Sequence, residues 1–114
     1  MATFAVQQAL ITGLEETYGA CAGGGDEFPN DGNTFVIVKN GHSSPQTVTV
    51  VSQVAEADLP PGTDQANVAI AVTNAEQRII GPFSQNGFND VDGMVQLTYS
   101  GVTALTIAVV TLNQ

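Results

Sequence analysis

Asp90 and Asp92 stand two residues apart, with Asn89 before them and Gly93 after, in the stretch RIIGPFSQNGFNDVDG (78–93). Acids at alternate positions ahead of a glycine resemble the opening of an oxygen-rich calcium loop. The full pattern also needs an acid two positions earlier and a bidentate Glu at the twelfth. Here those places hold Phe88 and Tyr99, so the match fails. What remains is an adventitious weak cation site on Asn89, Asp90 and Asp92. It competes with a plainer expectation, a turn whose Asx side chains cap free backbone N–H groups, which we prefer.

Other reactive types are as poorly furnished. His42 is followed by Ser43 and Ser44, but neighbours in a loop do not make a triad, which needs a base, a nucleophile and an orienting acid in mutual reach. Cys21 is the single cysteine. It lies between Ala20 and Ala22, without a positioned His, and reads as a buried inert thiol. Gly23-Gly24-Gly25 lacks a following Lys-Ser/Thr and precedes Asp26-Glu27, which would repel phosphate. Eleven acids are enough to supply a glycosidase pair. Most of them, Glu15, Glu16, Asp26, Glu27, Asp31, Glu56, Asp58 and Asp64, fall in turns or the N-terminal segment. With no Trp and two Tyr, a sugar-stacking cleft would be bare. The expectation is a protein that is not an enzyme and carries no cofactor or metal.

Charge narrows the partners. Lys39 and Arg78 face eleven acids, for a formal charge of -9, and only 11% of residues are charged. Two cations cannot neutralise a phosphate backbone, so nucleic acid is an unsuitable partner. Anionic membrane surfaces are disfavoured on the same ground. No apolar run is long enough to span a bilayer, and the opening MATFAVQQALITGLEETYG lacks a basic leader. A soluble protein made in the cytoplasm is expected, and the lone thiol suits a reducing compartment.

The positioning elements follow from periodicity. At 114 residues the chain fits one domain, long enough to bury roughly two-thirds of its unfolded surface. Apolar residues recur at period two, the mark of half-buried strands. NTFVIVKN (33–40) is a β-branched run that predicts a strand covered on both faces. QTVTVVSQV (46–54) turns Val48 and Val50 to one side. ANVAIAVT (66–73) turns Val68, Ile70 and Val72 inward, and MVQLTYS (94–100) does so with Val95, Leu97 and Tyr99. ALTIAVVTL (104–112) aligns Leu105, Ile107 and Val109, and its doubled Val109-Val110 predicts a bulge. A sixth strand is expected around 77–83, and one more in the N-terminal third. Asn40-Gly41, Pro60-Pro61-Gly62 and Asp92-Gly93 punctuate these runs.

The pattern predicts an all-β fold, an antiparallel β-sandwich of jelly-roll or Ig-like type with about six to eight short strands. Residues 1–25 read as an extended N-terminal arm ahead of a sandwich domain over 26–114. A short helix with Val6, Leu10 and Leu14 on one stripe is the weaker alternative. An arm of this kind is suited to reach a neighbouring subunit. Phe4, Leu10, Leu14, Tyr18, Phe28, Phe83 and Phe88 are the candidate interface residues, because buried aromatics often anchor contacts. For Phe83 and Phe88 we prefer a plug closing an open end of the sandwich.

The succession GLEETY, GGGDEFPNDGNTFVIVKNG, QTVTVV, RIIGPF, FNDVDGMVQLTYS and LTIAVVTL resembles a family of small proteins encoded among the head-assembly genes of tailed bacteriophages. The likeness covers most of 13–112, and NDGNTFVIVKNG with the pair IGPF and FNDVDG are its most specific parts. The stretch VAEADLPPGTDQ (54–65) departs from it, being looser and more acidic. The resemblance implies an all-β virion structural protein, foremost a capsid decoration (cement) protein, with a head–tail connector or neck component as the alternative. It implies the major capsid protein lattice as partner, self-association as a homotrimer ahead of a dimer, and a place on the capsid surface. A surface carbohydrate-binding module is the other class kept open, supported by loop aromatics and Asp/Asn-rich turns.

Overall fold

A computed structural model describes residues 2–53 and 67–112. The expected break at Pro60-Pro61-Gly62, and the acids Glu56, Asp58 and Asp64, lie outside the described residues. The chain is all-β, with ten strands in two packed sheets. In chain order these are β1 (Ala2–Thr3), β2 (Gln7–Gln8), β3 (Gly19–Ala20), β4 (Asp26–Pro29), β5 (Thr34–Asn40), β6 (Gln46–Val50), β7 (Val68–Val72), β8 (Gln77–Ile80), β9 (Met94–Tyr99) and β10 (Leu105–Thr111). One sheet has the order β1-β4-β9-β6-β7; the other runs β2-β10-β5-β8, with β3 also on β10. A four-residue helix, α1 (Gln85–Phe88), stands in the corner between β8 and β9.

All six strands expected from alternation are present, because their β-branched residues fit a half-buried pleated surface. The core holds most of the predicted inward set, Val48, Val50, Val72, Val95, Leu97, Leu105, Ile107 and Val109, together with Val36 and Val38, while Ile70 and Tyr99 are only partly buried. Burying one such side chain fully contributes about 1.5–3 kcal/mol, so this set supplies most of the drive to fold.

Three local expectations are corrected. β10 carries no bulge, since its seven residues pair in unbroken register with β5 from Leu105↔Asn40 to Thr111↔Thr34. Val109 and Val110 are both buried within this regular strand, so both faces of β10 are covered there. β5 is covered fully on one face only, with Phe35 and Ile37 half-buried. β7, an edge strand, is graded from buried Val72 to Val68 at 45% exposure.

The sheets are mixed rather than wholly antiparallel. β1 joins β4 in parallel, and β2 joins β10 in parallel. Parallel neighbours need long connections, and the N-terminal segment supplies them by leaving one sheet and entering the other. Residues 2–25 are extended, as the arm reading expects, and in this chain they lie against their own body. Phe4 N donates to Glu27 O at 2.8 Å and Ala9 N to Thr111 O at 2.9 Å, while Phe4 and Val6 pack on the core. One lateral side of the sandwich is therefore made by β1, β2 and β3. The opposite side is made by β7 and β8.

Candidate functional site

The corner that includes 81–93 is assembled around an aromatic stack. Phe28 from β4 is fully buried, Phe83 is 4% exposed, and Phe88 ends α1. Phe83 lies 5.7 Å from Phe28 in a tilted pair and 6.1 Å from Phe88 edge-on, arrangements that aromatic quadrupoles favour. The plug reading of Phe83 and Phe88 describes this geometry. Phe28 and Phe83 thus pack within their own chain, Phe28 with no exposed surface and Phe83 with only an edge left open. Gly81 has φ +124°, and a Cβ there would stand 3.0 Å from the Phe35 backbone and side chain. Only glycine allows β8 to enter the corner this closely.

Polar groups close the same corner. Asn30, 6% exposed, donates through Nδ2 to Phe83 O (3.0 Å) and to Asn89 Oδ1 (2.7 Å). Its own carbonyl accepts from Asn89 Nδ2 at 3.0 Å, and its Oδ1 accepts from Gly32 N at 3.0 Å. Asp90 Oδ1 accepts from Asp92 N (2.9 Å) and Met94 N (3.0 Å), and Oδ2 accepts from Gln96 Nε2 (2.8 Å). Those donors hold the Asp90 carboxyl below its ordinary value, the Gln96 amide contributing most.

The weak cation site therefore lacks convergent ligands. Asn89 is turned to Asn30, Asp90 to its own turn, and Asp92 is exposed. Among the described residues no group of three or more His, Cys, Asp or Glu is placed to hold a metal. A groove of about 440 Å³ beside this corner is lined by Val6, Gln8, Asn30, Asp31, Thr34 and Thr111 among others. The Asp31 carboxylate there already accepts from Asn33 N, Thr34 Oγ1 and Thr111 Oγ1 at 2.8–2.9 Å.

At the other end, Asn40 organises the loop bearing His42, Ser43 and Ser44. Its Oδ1 accepts from His42 N (3.0 Å) and Gln46 Nε2 (2.9 Å), and its Nδ2 donates to Ser44 O and Val72 O. These bonds shape a turn. Cys21 is buried, and burial pushes its thiol up to about 11, so it is an unreactive protonated thiol near neutrality.

Sequence reasoning missed Asp26, read there as a turn acid. It is fully buried: Oδ2 accepts from Tyr99 Oη at 2.6 Å and from Ala22 N at 3.1 Å, and Oδ1 has no partner among the described residues. The signal was present in DEFP (26–29), where Asp26 shares the parity of Phe28.

The remaining interface candidates all belong to the arm. Phe4 is half-buried over Gly19, and Leu14 is half-buried. Tyr18 carries Lys39 Nζ 4.0 Å above its ring and donates to Glu16 Oε1 at 3.2 Å. Leu10 is 48% exposed, and Ile11, which sequence reasoning passed over, is 97% exposed. Both sit on a tight turn closed by Gly13 N to Leu10 O at 3.0 Å, with Gly13 at φ +96°. The base of this loop is held by Gln7, whose amide donates to Thr17 O (2.8 Å) and accepts from Thr17 N (2.7 Å). Turns ordinarily favour polar residues, so a braced turn that presents two aliphatics to solvent is the best candidate for contact with another protein.

Comparison of the chain with family models, with curated proteins and with solved structures finds no match in any of the three.

Proposed function

We propose that this chain is a capsid decoration protein, which binds the assembled head of a tailed bacteriophage and stabilises the shell. The reading comes from the sequence resemblance, and the observation that carries it is the braced Leu10–Gly13 turn with Ile11 almost fully exposed. A cement protein needs a stiff body and an adhesive surface, and both are in place. The body is a two-sheet sandwich whose corners are locked by Asn30, Asn40 and an aromatic plug. The surface is cation-poor and suited to adhere to protein rather than to packaged DNA. Many copies of a modest contact, repeated over a lattice, sum to firm attachment.

The test is co-sedimentation of the purified chain with expanded, DNA-free heads of the phage that encodes it. Saturable binding over the whole shell supports the proposal. Binding confined to the neck would favour the connector reading, and no binding would end both. The carbohydrate alternative has less aromatic support, because Phe28 and Phe83 are buried and only Phe4, Tyr18 and Phe88 keep part of their surface.

A further inference from the structure

The exposed aliphatic turn has a counterpart on the opposite lateral side of the same molecule. Where β7 and β8 part, Val50, Val68, Ile80, Gly81, Pro82, Phe83 and Phe88 line an apolar groove of about 180 Å³. That is below the roughly 300 Å³ at which small-molecule sites begin, and its walls offer little polar surface to orient a metabolite. An aliphatic side chain or two suits it. Val68 at 45% exposure forms its rim.

Charge selects the occupant. Two copies of a chain at -9 repel unless a cation meets an acid at the contact. Of the two cations, Lys39 is seated over Tyr18. Arg78 lies on β8 next to Ile79 and Ile80, in an ion pair with Glu76 at 2.9 Å that is about half exposed on both sides. Exposed pairs of this kind contribute about 0–1 kcal/mol and are easily exchanged. The aliphatic turn carries the matching acids, Glu15 and Glu16, in its own loop. Size, polarity and charge thus correspond between the two lateral sides.

We propose that the Leu10-Ile11 turn of one molecule inserts into the β7/β8 groove of a second copy, with Glu15 or Glu16 meeting Arg78. Because turn and groove are on opposite sides, the contact is heterologous and runs head to tail, and it closes into a ring when the rotation permits. It draws on the same turn as the capsid reading and competes with it, so it is tested on the free chain without heads.

The experiment is sedimentation velocity on the full chain over a concentration series, with Ile11→Asp, Val68→Asp and an equimolar mixture of the two. Both positions are exposed, so each variant should retain the wild-type circular dichroism spectrum. The wild type should associate. Each variant alone should weaken association at least tenfold. The mixture should recover a one-to-one dimer and stop there, since Ile11→Asp keeps an intact groove and Val68→Asp an intact turn. A wild-type chain that stays monomeric throughout overturns the proposal, and is also what a turn reserved for the shell, or a groove filled from within its own chain, would give. Association unchanged by either substitution, or a mixture that fails to dimerise, overturns it equally.

Discussion

Tyr99 donates a 2.6 Å hydrogen bond to Asp26, tying β9 to the first residue of β4 inside the sandwich. Asp26 Oδ1 is buried without a partner, so the phenol and Ala22 N supply its polar support among the described residues. Tyr99→Phe should cost about 1–3 kcal/mol, the range for leaving a buried acceptor unsatisfied. The check is the urea midpoint at unchanged slope. A loss below about 0.5 kcal/mol would mean that the bond contributes little.

Cys21 sits beside this pair, and its thiol is raised from 9 to about 11, chiefly by burial. A raised folded value means that the folded state holds the proton more tightly than the unfolded chain. That contribution is full below pH 9 and is lost as pH climbs toward 11. Stability should therefore fall across this window, and Cys21→Ala should flatten part of the fall. Thiol-reactive reagents at pH 8 should modify Cys21 only on unfolding.

The aromatic plug gives the largest single loss. Phe28→Ala, at a fully buried ring against Phe83, should destabilise by about 3–5 kcal/mol through lost transfer energy and the cavity left behind. Thermal melts read the effect directly. Gly81→Ala should cost about 1–3 kcal/mol, since the added methyl meets Phe35 at a positive φ.

Asp90 tests the cation question. Both of its oxygens serve its own turn, so calcium and a chelator should each leave the melting temperature unchanged. Its depressed folded value gives a contribution present above the ordinary carboxylate range and lost as pH falls below it. Asp90→Asn should remove that acid-side loss, measured as melting temperature against pH.

Alternation made the central strands legible because each has one face in the core, and period two survives wherever that holds. It misled where the environment departs from a half-buried strand. The doubled valine of β10 reads as a bulge, yet belongs to an unbroken strand buried on both faces. The arm was legible as extended but not its pairings, since Ala2–Thr3 and Gln7–Gln8 are too short to carry a period. The burial of Asp26, Asn30, Asn40 and Gln46 is not legible from their polarity alone. Parity would have placed three of them, because Asp26 alternates with Phe28, Asn40 with Val38, and Gln46 with Val48. The exposed Ile11 was hidden for the opposite reason: an aliphatic residue in a mixed stretch reads as core until a turn places it outside.

The central claim is that this sandwich adheres to a phage shell and holds it together. The most direct measurement is the temperature at which expanded heads rupture, with the protein bound and without it. The account predicts a higher rupture temperature for decorated heads, reduced when Ile11→Asp replaces the wild type. Equal rupture temperatures for bare heads and for heads exposed to the protein would contradict it.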